Sequence, residues 1–152
     1  MKYEFTGETR EFLGRTLHRI KAVSDFGDVK AGDLGGWVEK EENLSQAGDC
    51  WVYGNAWVSG SAQVSGNARV GDKNHVLWIS PIGSRDDTVT FMRTKDHKIA
   101  VSVGCFYGSV DEFERAVLET HGNNEHAQAY KLAIELAKLR IDLNEKKENE
   151  DE

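Results

Sequence analysis

The spacing of apolar and polar positions changes along the chain, and each change predicts a different element. Near the N-terminus, Lys2-Tyr-Glu-Phe5 alternates polar and aromatic residues, as a half-buried strand does. Thr16 to Val23 predicts a second strand, with Gly7 and Gly14 breaking the chain before it. Asp25-Phe-Gly-Asp28 reads as a turn. From Gly48 to Gly71 a six-residue unit takes over, written GDCWVY, GNAWVS, GSAQVS and GNARVG. Gly opens each unit, and a short polar residue follows it. Then comes a small residue (Cys50, Ala56, Ala62, Ala68) and, two positions on, Val52, Val58, Val64 or Val70. A period of six is neither helical nor strand-like, and fits one short strand plus one corner per unit. Val points inward, the small residue fills the corner, and Gly with Asn tolerates a corner's positive backbone angle.

Beyond residue 74 the period returns to two. Val76-Leu-Trp-Ile79, Asp87 to Arg93 and Ile99 to Cys105 are rich in β-branched or aromatic residues. They predict a small antiparallel sheet of three strands, with Lys95-Asp-His-Lys98 as a hairpin connection. A helical period closes the chain. Ser109 with Glu112 forms a capping box before the apolar face Val110, Phe113, Val117 and Leu118, and His121-Gly122 ends that helix. Asn123 or Asn124 caps a second helix that runs to about Asn144. It carries two stripes: Ala127, Tyr130, Ile134, Ala137, Ile141, and a heptad seam of Leu132, Leu136, Leu139, Leu143.

The hexads resemble the hexapeptide repeat of left-handed parallel β-helix proteins. Four consecutive units keep three positions each, and Gly36, Val38, Leu44 and Val76 extend the columns faintly. The resemblance implies a mainly β plus α+β chain. Its expected parts are an N-terminal β cap over 1–35, a short left-handed parallel β-helix over 36–74 and an α+β module over 75–144. An acidic tail over 145–152 is expected to be disordered. So short a coil needs capped ends and favours a homo-oligomer, most simply a trimer. Residues 1 to 72 also resemble uncharacterised hexad proteins of phages and prophages, and 79 to 141 resemble the module that accompanies them. That resemblance implies a phage setting and no activity.

Composition narrows the classes. The formal charge is -7, with 30% of the 152 residues charged, which argues against nucleic acid as a partner. No apolar run is long enough to span a membrane, and no signal-peptide core stands at the N-terminus. Two distant cysteines point to reduced thiols and a cytoplasmic setting, that of a host cell on the phage resemblance.

Candidate chemistry falls in four places. Trp51 and Trp57 occupy outward positions of the hexads, with Arg69 eighteen residues after Trp51 on the same face. This predicts an exposed Trp face, for an interface or for stacking on a ligand. Ser84 and Arg85, in Pro81-Ile-Gly-Ser-Arg85, offer a loop and a planar fork for phosphate, and Arg93 and Lys95 add positive charge. Cys105, His121, His126 and Tyr130 gather at ends of elements. They lack the third orienting group of a catalytic set and the spacing of a zinc site, so neither catalysis nor a metal or cofactor is expected. His75 is the sole candidate for the edge histidine that hexapeptide acyltransferases use. The leading expectation is a non-enzymatic binder that sequesters a small phosphorylated or nucleotide-derived host defence signal. The alternatives are an inhibitor that grips a host protein through the Trp face, and a hexapeptide-type acyltransferase.

Overall fold

The computed structural model of the chain describes residues 1–144, so the expected acidic tail over 145–152 lies outside the described residues. A long hairpin, β1 (Tyr3–Phe12) and β2 (Arg15–Ala22), opens the fold and turns at Leu13 and Gly14. β3 (Leu34–Val38) pairs antiparallel with β2 and parallel with β5 (Trp57–Val58). β4 (Trp51–Val52) pairs parallel with β6 (Arg69–Val70). β7 (Val76–Ile82), β8 (Asp87–Arg93), β9 (Ile99–Val103) and β10 (Phe106–Ser109) form an antiparallel meander. α1 (Val110–His121) and α2 (Glu125–Arg140) follow.

The side-chain columns of the hexads behave as their spacing predicts. Val52, Val58, Val64 and Val70 are fully or almost fully buried, and so are Cys50, Ala56, Ala62 and Ala68. Gly48, Gly54, Gly60 and Gly66 hold φ between 60° and 72°, the left-handed region that only Gly enters without strain. The architecture expected from them is nevertheless corrected. A left-handed parallel β-helix needs long parallel stacking, and the chain forms several small sheets, mixed and antiparallel, plus two helices. Parallel pairing stops at Trp37–Val38 with Trp57–Val58, Trp51–Val52 with Arg69–Val70, and one bridge from Leu44 to Val64. The hexad strands are two residues long, and four units supply only one layer of partners. The rest of the pairing is antiparallel, from the β1–β2 hairpin and the β7–β10 sheet. Asn43 ties this layer together: its buried Nδ2 donates to the carbonyls of Gly60 and Ala62, at 3.1 and 2.9 Å.

The β7–β10 sheet has four strands, one more than the spacing predicts, because the chain turns at Gly104 and Cys105 and Phe106–Ser109 pairs back on β9. Both faces of this sheet are buried. Val89, Phe91, Val101 and Val103 pack against the helices, in a core completed by Phe113, Tyr130, Ile134 and Ala137. Met92, Ala100 and Val76 face the other way, into the hexad core. Polar groups join that second contact: Thr90 Oγ1 accepts from Gln63 N at 3.0 Å, and Met92 Sδ lies 3.5 Å from Ser65 N. The sheet is therefore the middle layer between hexads and helices. The helix caps form at Ser109 with Glu112 and at Asn124. α2 buries the stripe through Ala127, Tyr130, Ile134 and Ala137 and ends at Arg140, short of the expected Asn144.

Candidate functional site

The β4–β6 pair sets Trp51 beside Arg69, as their spacing of eighteen predicts. The turn from Thr94 to Lys98 then folds over the end of β6: Thr94 bridges to Ala68, and Lys95 N donates to Asn67 O at 3.1 Å. The loop from Phe26 to Val29 closes the opposite wall. Between them lies a groove of about 780 Å³. Trp51, Tyr53, Val29 and Leu34 give it apolar surface. Arg69, Arg93 and Lys95 bring positive charge, His97 brings an imidazole ring, and Asp28 and Asp33 bring negative charge.

Arg69 is the best-defined group there. Its Nη2 pairs with Asp28 Oδ1 at 2.5 Å. Asp28 is a weak anchor, since its side chain is 83% exposed while that of Arg69 is 17% exposed. The bond to Arg69 holds the Asp28 carboxyl below its usual range. Among the described residues, Arg69 Nε is buried without a hydrogen-bond partner. One exposed carboxylate thus covers part of a fork that offers more donors than it satisfies. Arg93 is deeper: its Nη1 stands 2.5 Å from His75 Nε2, and its Nη2 donates to Asn144 O at 3.1 Å.

The expected site residues separate. Trp51, Arg93 and Lys95 come together in the groove. The exposed Trp face does not form. Trp51 is 3% exposed because Phe26 and Tyr3 pack edge-on against it, with centroids 5.2 and 6.4 Å away. Trp57 is half-buried by Phe12 and Trp78. Ser84 and Arg85 stand exposed on the β7–β8 turn, away from the groove lining. Tyr130 packs its hydroxyl end under Gly83 of that turn, stacks on His121 at 6.1 Å, and His121 in turn meets His126 at 5.4 Å. Cys105 is exposed in the β9–β10 turn. No cluster of three His, Cys, Asp or Glu among the described residues could hold a metal. Among the described residues, no helix is long and apolar enough to cross a membrane.

Asp28 and His97 are legible in the sequence only as turn residues and not as members of a site, and Asp33 and Tyr53 are not singled out there at all. Arg69 is legible there only as the neighbour of Trp51. His75, the candidate edge histidine, is 6% exposed. Gly71 N donates to its Nδ1 at 3.1 Å, and the Arg93 guanidinium faces its other nitrogen. Both ring nitrogens therefore face groups of the chain itself.

No protein-family model matches the chain. Over 60 residues it is 42% identical to a protein named "Uncharacterized acetyltransferase YdcK" of Escherichia coli (strain K12). The match covers 34% of this chain and 18% of that protein, so the chain spans less than a fifth of the relative's length. Nothing in the match carries a phage setting.

Proposed function

We propose that the protein is a non-enzymatic binder of a small phosphorylated ligand, held in the groove between Arg69 and the Thr94–Lys98 turn. The observation that carries this reading is Arg69. A planar fork sits partly buried beside an aromatic wall, with one donor unsatisfied and another met only by the exposed Asp28. A phosphate has the charge and acceptor geometry to displace that carboxylate from the Arg69 fork. Lys95 and His97 line the same opening, and Lys95 adds positive charge to a chain that is otherwise acidic. Nucleotides fit the class, because a base would have Tyr53 and Leu34 to lie against.

Thermal unfolding against a panel of mono-, di- and cyclic nucleotides and inorganic phosphate tests this. At a hundredfold excess over Kd a ligand adds about 2.7 kcal/mol, or roughly 5–10 °C for a chain of this size. Arg69→Ala removes the shift. Asp28→Asn enlarges it by removing the competing carboxylate. Arg85→Ala, on the far turn, leaves it unchanged. A flat response across the panel overturns the reading.

A second reading, acyl transfer, is favoured by the printed name of the YdcK relative. It predicts release of free thiol from acetyl-CoA in the presence of an acceptor, lost in His75→Ala. The position of His75 weighs against it, since a base needs a nitrogen open to the proton it takes.

A further inference from the structure

The solvent face of α2 carries three exposed leucines. Leu132, Leu136 and Leu139 are 67, 41 and 81% exposed. They lie opposite the stripe that packs on the sheet. Scattered exposed leucines are ordinary, but these three share one face at steps of four and three. This is the a/d spacing of a coiled-coil seam. We propose that this face docks against the same face of a second copy of the chain, in parallel, as a two-fold dimer.

The charges beside the seam choose the partner and its direction. Glu135 flanks the leucines on one side and Arg140 on the other, five residues later. Neither makes an ion pair within the chain among the described residues. In a parallel pair of helices this spacing sets Glu135 of each copy against Arg140 of the other, twice by symmetry. An antiparallel pair centred on Leu136 would instead bring the two Glu135 together. A seam this short does not hold two free peptides, because each helix would first have to be ordered. Here the caps and the sheet already hold α2 as a helix, so docking meets little of that cost. The face lies away from the sheet, so two copies approach with their cores outward, and a two-fold contact closes on itself without building fibres.

The test is sedimentation equilibrium of the full chain across the micromolar range, with circular dichroism as a control for folding. The wild type sediments as two chains. Leu132→Glu with Leu139→Glu gives a folded monomer, since both positions are solvent-facing within the chain. Glu135→Arg weakens dimerisation on the order of tenfold, and adding Arg140→Glu restores it. A wild-type monomer at every concentration, a mass of three or more chains, or a dimer indifferent to the leucine changes overturns the proposal. So does an absence of effect from Glu135→Arg, which would remove the parallel pairing.

Discussion

Gly36→Ala is expected to lower the melting temperature by roughly 10 °C, through steric crowding alone. Gly36 lies inside β3, where the strand passes closest to the hexads. A Cβ there would stand 2.5 Å from the Ala56 carbonyl oxygen and 2.9 Å from Val52 Cγ1. The first contact is backbone, so no rotamer change relieves it. That same carbonyl accepts the Trp37 N–H at 3.0 Å, the bond that joins β3 to β5. Overpacking of this kind costs about 1–3 kcal/mol, and loss of the ladder bond adds about 1 kcal/mol. Gly7→Ala is the matched control: nothing lies within 4 Å of its Cβ, so only its positive φ of 93° is disturbed. Thermal melts followed by circular dichroism decide it. A Gly36→Ala protein that melts with its parent would show that β3 has room to spare.

Phe91→Ala is expected to cost about 3–5 kcal/mol, a large share of the stability of an ordinary domain. Phe91 is fully buried on the helix side of β8. Its neighbour Met92 is fully buried on the hexad side. One strand therefore serves both cores, and damage to one face is expected to reach the other. Tryptophan fluorescence reads the hexad side, where all four tryptophans stand, and far-ultraviolet dichroism reads the helices. In Phe91→Ala both midpoints should fall together. A fluorescence midpoint that stays at the parental value while the helices melt early would mean that the two cores unfold separately. The sheet would then not be a shared middle layer.

Much of the local structure was legible in the sequence. A period of six sets the inward columns, since Val and a small residue at fixed places in each unit share a side of the chain whatever surrounds it. Ser109, Glu112 and Asn124 stop and start helices through bonds to backbone groups three residues away. The stripe from Ala127 to Ala137 follows from the turn of the helix alone. These are short-range determinations, and the structure agrees with them. The hexads also suggested a short left-handed parallel β-helix, and the chain forms small mixed and antiparallel sheets instead. That expectation failed because the way strands stack depends on how much chain repeats and on what else claims the strand edges.

Tertiary structure decided the rest. Alternation tells which side chains share a face of a strand, but not what covers that face. Trp51 points away from the hexad interior, as its position requires, yet Phe26 and Tyr3 cover it. Thr90 and Ser102 are polar and yet buried, because the hexads cap that side of the sheet. The groove depends on Asp28, Arg69, Arg93 and Lys95, which belong to two different loops and two different strands. The eighteen-residue spacing could relate Arg69 to Trp51, since they hold the same position in the first and fourth hexads. No periodicity relates Asp28 to Lys95, and only packing of the N-terminal loop and the β8–β9 turn over the hexads brings them together.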